Sequence, residues 1–128
     1  MRLSLLLAVA AGGALGSVAR YLVGIGAGKW LGAGFPWGTL IVNVSGSFLI
    51  GVLAEAFALK WDAGLAARAF LIVGICGGFT TFSTFSLDFV VLVGRNAMLP
   101  ALLYALASVG LSIGGLYAGL QLARTLLH

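Results

Sequence analysis

The chain has 128 residues, 62% of them hydrophobic and 8% charged, with a net charge of +4 and a mean hydropathy of +1.18. Soluble domains carry about 25% charged residues, so ten charged side chains cannot cover a water-soluble fold, and lipid is the expected solvent. Lys and Arg form no basic stripe, which excludes a nucleic-acid partner, and the single cysteine, Cys76, excludes an internal disulfide and a cysteine-based metal site.

A membrane-spanning helix needs about 20 mainly apolar residues. Four stretches qualify: Leu3–Gly26, Trp37–Leu59, Ala66–Val93 and Met98–Leu122. They predict an all-α integral membrane protein with one domain over residues 1–128 and four transmembrane helices joined by short, charge-bearing loops. Trp30, Trp37 and Trp61 sit at segment ends, as an interfacial aromatic belt requires.

The first stretch opens like a secretory signal, with Arg2 before an apolar run. The apolar sequence continues past Ala14 to Val23 without a polar cleavage region, and three more spans follow, so a first transmembrane helix is expected. Gly12 and Gly16 are spaced for close helix contact. Arg20 is the notable residue. Arginine within a span is costly and points to function. It reads either as a snorkelling side chain or as a vestibule charge that attracts anions.

In the second stretch Thr39, Asn43, Ser47, Gly51 and Glu55 recur every four residues and place a small, polar stripe on one face. The Asn43 amide lies deep enough to need partners. Interhelical glue and a lining role in an ion pathway stand side by side for it, while Ser47 reads as glue.

The third stretch holds the strongest signal. Gly74 and the run Gly77-Gly78-Phe79-Thr80-Thr81-Phe82-Ser83-Thr84-Phe85-Ser86 put two adjacent glycines and five hydroxyl residues at membrane depth. Ser and Thr compete for the backbone, and glycine loosens it. A break is expected near Gly77–Thr80. Broken helices at this depth line cavities or hold ions, and freed carbonyls suit a small cation such as Na⁺. Phe79, Phe82 and Phe85 are three apart and are expected to share a face. Their ring edges are electropositive and can contact an anion without trapping it. Asp88 reads either as a partner for Asn43 or as a residue near an interface.

In the fourth stretch Tyr104, Ser108 and Ser112 form a hydroxyl ladder at i, i+4 and i+8, readable as a polar track for an anion. Gly110 with Gly114, and Gly115 with Gly119, read as packing positions.

With four spans, Arg2, Lys60, Arg68 and Arg124 fall on one side, against Arg20, Lys29 and Arg95 near the other. This balance gives the positive-inside rule little purchase. Either a weak bias sets the orientation or the chain inserts both ways; the charge tally somewhat favours the second, and inverted copies can pair in the manner of the inverted repeats of transporters.

Three motifs resemble the Fluc (CrcB) family of fluoride channels: Gly13-Ala14-Leu15-Gly16-Ser17-Val18-Ala19-Arg20-Tyr21, Gly38-Thr39-Leu40-Ile41-Val42-Asn43-Val44-Ser45-Gly46-Ser47-Phe48, and Gly74-Ile75-Cys76-Gly77-Gly78-Phe79-Thr80-Thr81-Phe82-Ser83-Thr84-Phe85. The resemblance covers essentially the whole chain, and the Thr-Thr-Phe-Ser-Thr-Phe string is its most specific part. It implies an antiparallel, dual-topology homodimer with two separate fluoride pores; a bacterial inner membrane is the expected location, as the lack of a long tail suits it. It implies a structural Na⁺ on the dimer axis, held by the backbone carbonyls of Gly77 and Thr80 of each subunit. Phe82 and Phe85 match the aromatic pair facing fluoride, Asn43 the pore-lining amide, and Tyr104, Ser108 and Ser112 the polar track. Thr39 joins the pore set, and Arg20 matches the basic residue near the vestibule. The partners implied are fluoride, a second copy of the chain and the lipid bilayer.

A proton-coupled drug exporter of similar size would need a carboxylate in the first span, where this chain has Arg20. A membrane assembly subunit would leave the third-span motif without purpose. An enzyme is not expected: no Ser, His and acid meet at suitable spacing, and the only histidine is His128.

Overall fold

The computed structural model describes residues 2–60 and 64–127. Trp61, Asp62 and His128 lie outside the described residues. Every regular element described is helical, and four helices are long and apolar enough to cross a membrane: Leu3–Leu31, Trp37–Leu59, Leu65–Gly94 and Met98–Leu127. They are called the first to fourth spans below. The chain is an integral membrane protein with four transmembrane helices.

The first span continues to Leu31, five residues beyond the expected Gly26, and ends at Gly32, whose φ of +83° suits glycine. The fourth continues to Leu127 rather than Leu122. Helices of 29 and 30 residues are about 45 Å long, whereas the hydrocarbon core is about 30 Å thick. Their ends therefore extend into the interfaces, where a regular helix still satisfies its backbone. Apolar run length marks only the part in hydrocarbon.

In lipid, apolar surface gains little by leaving one apolar medium for another, so close backbone approach carries helix association. Glycines supply it in two pairs of spans. Gly12 lies against Gly74, and a side chain at either position would meet the other's backbone. Gly16 abuts the Ile75 carbonyl. In the second pair, Gly51 abuts the Leu116 carbonyl and Gly119 the Phe48 carbonyl. First thus packs on third, and second on fourth. Gly110 and Gly114 meet no neighbouring span within the chain. Side chains such as Leu106, Val109 and Tyr117 are exposed on the outer surface, as lipid solvation permits.

Two small apolar clusters fill the interior: Leu40, Leu92, Ala101 and Tyr104, and Leu53, Phe57 and Cys76. At one end, Glu55 of the second span is nearly buried and pairs with Arg124 of the fourth at 2.8 Å. The third and fourth spans are joined by a tight closure. Asn96 adopts φ +58°, its N–H reaches the Val93 carbonyl, and the Ala97 N–H reaches the Leu92 carbonyl. This is a Schellman ending with asparagine in the left-handed position.

The third span is irregular, as its composition requires. Residues 69–76 wind as a π-helix, a form that tends to mark functional segments. Gly77–Phe79 is helical, Thr80 and Thr81 are extended, and Phe82–Gly94 resumes the helix. The break exists, but it lies at Thr80–Thr81, past both glycines. Gly77 and Gly78 remain helical, and at Gly78 the lack of a side chain serves contact rather than bending: a side chain there would meet the Gly13 carbonyl.

Candidate functional site

The break is held by side chains from its neighbours. Thr81 has φ −154° and ψ 122° and caps the second half-helix, its Oγ1 accepting the Thr84 N–H at 3.1 Å. This is the usual cap geometry for a threonine preceding a helix. The second span supplies Asn43, which uses both ends of its amide: Oδ1 accepts the Thr81 N–H at 2.7 Å and Nδ2 donates to the Thr81 carbonyl at 2.9 Å. An amide side chain thereby replaces the neighbouring turns of helix for both backbone polar groups of one residue, which a buried backbone needs. The first span supplies Arg20, whose Nε donates to the Gly78 carbonyl at 3.0 Å.

These contacts redirect the helix's own donors. In a continuous helix the Thr81 N–H would go to Gly77 and the Thr84 N–H to Thr80. Here they go to Asn43 and to Thr81 Oγ1. The Thr80 N–H and Oγ1 both return to the Cys76 carbonyl. The carbonyls of Gly77 and Thr80 thus lose their helical donors, and no side chain among the described residues donates to either.

Beside the break lies an open cavity of about 530 Å³, lined by Asn43, Ser47, Gly77, Thr80, Thr81, Phe82, Phe85, Ser108 and Ser112 with Val109 and Ile113. None of these residues is charged. The Ser108 and Ser112 hydroxyls are buried and have no hydrogen-bond partner among the described residues. The rings of Phe82 and Phe85 stand with centroids 5.4 Å apart and planes tilted by 51°. Phe82 is 76% exposed, so the cavity opens onto the outer face of a single chain. Seven residues singled out in the sequence therefore meet around one space: Asn43, Phe82, Phe85, Ser108, Ser112, Gly77 and Thr80.

Three others do not. Tyr104 is fully buried and leaves the hydroxyl ladder: its Oη donates to Asp88 Oδ2 at 3.0 Å, and its ring packs against Phe35 and Phe85. A spacing of four aligns positions along a helix, but each long side chain still turns toward its own partner. Thr39 and Arg20 border a second cavity of about 320 Å³ together with Tyr21, Thr81 and Thr84. Thr81 lines both cavities, so the peptide clamped by Asn43 stands between them. Phe79 lies before the break, so it does not continue the helix that carries Phe82 and Phe85. Asp88 bonds Tyr104 rather than Asn43, and it borders a third cavity of about 270 Å³ with Thr39 and Arg95.

Sequence reading missed two things here. Thr81 is the joint of the site; the signal was a Thr three residues before Thr84 at the start of a resumed helix. The Glu55–Arg124 and Tyr104–Asp88 pairings join residues far apart in sequence and left no local signal.

Comparison with known proteins agrees with the architecture. The chain is 62% identical over 126 residues to a protein of Nitrobacter winogradskyi named "Fluoride-specific ion channel FluC", covering 98% of this chain and 100% of that protein. It is 60% identical over 126 residues to "Fluoride-specific ion channel FluC 1" of Nitrobacter hamburgensis, with the same coverage. It is 58% identical over 123 residues to the "Fluoride-specific ion channel FluC" of Rhodospirillum centenum, covering 96% of this chain and 98% of that one. Residues 7–120 match the family described as "CrcB-like protein, Camphor Resistance (CrcB)". With nearly its whole length matched and four spans arranged around a broken third helix, the chain belongs to the CrcB family.

Proposed function

We propose that this protein is a passive, fluoride-selective channel of a bacterial plasma membrane, and that it lets the anion leave the cell. The observation that carries the reading is the pair of buried, unpartnered hydroxyls of Ser108 and Ser112, in a cavity shared with the Asn43 amide and the Phe82 and Phe85 rings. Fluoride holds water tightly, so a pathway for it must supply many close donors. Hydroxyl hydrogens, an amide N–H and electropositive ring edges do this without a fixed charge that would hold the ion. A membrane potential of about 100 mV, negative inside, drives each anion outward with about 2.3 kcal/mol, so no coupling acid is needed. Arg20 beside the second cavity supplies an anion-attracting charge at the approach.

The working unit in this reading is an antiparallel, dual-topology homodimer with two pores. Its support is physical. A polar cavity whose rim includes exposed Phe82 and the hydroxyls of the break cannot face hydrocarbon alone. A second chain covers it, and the near-even charge distribution of the loops permits that chain to be inverted.

A Na⁺ ion fits the Gly77 and Thr80 carbonyls. Both oxygens have lost their helical donors, and neutral carbonyl oxygen is the donor type that broken membrane helices offer to Na⁺. When bound, the ion supplies a positive centre joining the two third spans.

The test is efflux from liposomes loaded with potassium fluoride and opened to potassium by valinomycin, followed with a fluoride electrode and repeated with chloride. Fast fluoride release with little chloride release is expected. No fluoride release from folded protein would remove the channel reading.

A further inference from the structure

The carbonyls around the break have distinct partners. Cys76 receives both donors of Thr80. Gly78 receives Arg20 Nε from the first span. Thr81 receives Asn43 Nδ2 from the second. Gly77, Phe79 and Thr80 receive no side-chain donor among the described residues. Two neighbouring spans thus tie off the Gly78 carbonyl, next to Gly77, and the Thr81 carbonyl, next to Thr80. The Gly78 carbonyl belongs to the last turn of a half-helix, where partial negative charge collects and a cation is favoured. Guanidinium is planar, and its Nε–H has a fixed direction. It can therefore hold one carbonyl in one orientation.

We propose that Arg20 is a positioning residue for the broken third span: by holding the Gly78 carbonyl, it fixes the 77–80 backbone so that the Gly77 and Thr80 oxygens, and not the Gly78 oxygen, are presented to a cation. This rests on the Na⁺ reading given above. It is separate from attraction of anions by the same side chain, because that role needs only charge and this one needs the Nε bond. The two also differ in sign. Removing a nearby positive charge by electrostatics alone strengthens cation binding, whereas freeing the Gly78 carbonyl loosens the backbone and weakens it.

The experiment is thermal unfolding of the purified protein in detergent while Na⁺ replaces N-methylglucamine at constant ionic strength, with K⁺ as a second titrant. Wild-type protein is expected to gain stability with Na⁺ over K⁺. Arg20→Gln is expected to raise the Na⁺ concentration for half of that gain about ten-fold or more, the scale of one lost charge-assisted hydrogen bond, and to narrow the preference over K⁺. Arg20→Lys keeps the charge without the Nε fork; it is expected to retain more fluoride flux than Arg20→Gln while its Na⁺ midpoint still rises. Unchanged or lower Na⁺ midpoints in both variants would overturn the proposal while leaving the cation site standing. No Na⁺ response in wild type would remove the cation site and the proposal with it. If neither variant can be recovered folded, Arg20 supports the fold as a whole and the positioning role is withdrawn.

Discussion

Asn43 joins two roles that its sequence context left side by side. Its amide clamps Thr81 through two hydrogen bonds and also borders the cavity. Asn43→Asp removes the donor to the Thr81 carbonyl and sets a carboxylate against it. A loss of about 1–3 kcal/mol is expected from the unpaired group, read as a lower unfolding midpoint, together with reduced fluoride flux. Ser108 and Ser112 offer the opposite case. Their hydroxyls bond nothing within the described chain, so Ser108→Ala and Ser112→Ala remove a desolvation cost and are expected to leave stability unchanged or slightly raised. Fluoride flux from liposomes is expected to fall about ten-fold in the double variant, as loss of roughly one hydrogen bond's worth of stabilisation implies. Wild-type flux in that variant would take the pathway away from the fourth span.

The third span works because its irregularities are supported from outside. Its N-terminal part is held against the first span through the Gly12–Gly74 contact and Arg20, and its resumed helix is started by Thr81. Gly74→Val places a side chain into the Gly12 backbone. Overpacking of this kind costs about 1–3 kcal/mol. The two spans must separate, and the Arg20–Gly78 bond with them. The expected outcome is a lower unfolding midpoint and lost flux. The run of glycines and hydroxyls announced a broken helix, but its joint fell at Thr80–Thr81. Ser and Thr preferences act over several residues, and only the neighbouring Asn43 chooses which peptide leaves the helix.

A single chain leaves its polar cavity open at Phe82, the face that the proposed inverted pairing would cover. Orientation is the property to measure. Cysteines placed one at a time at Lys29 and at Lys60, in a Cys76→Ala background, are each expected to be labelled from both sides of intact cells. Labelling from one side alone would exclude the inverted pairing. The Glu55–Arg124 pair joins the second and fourth spans near the Lys60 end, and the Asn96 turn joins third to fourth at the other end.

Composition alone determined that this chain lives in lipid, and apolar run length located four spans, because backbone exposed to hydrocarbon must satisfy its own hydrogen bonds and a helix of about 20 apolar residues does so across the core. The residues of the cavity were legible as well: polar groups are too costly in a membrane to appear there without use. Which of them meet was decided by tertiary structure. Tyr104 left the hydroxyl track for Asp88, Arg20 turned its Nε to Gly78, and Gly78 stayed helical against the first span. Each outcome depends on a partner from a distant part of the chain, and a sequence states spacing along one helix but not which neighbour that helix will touch.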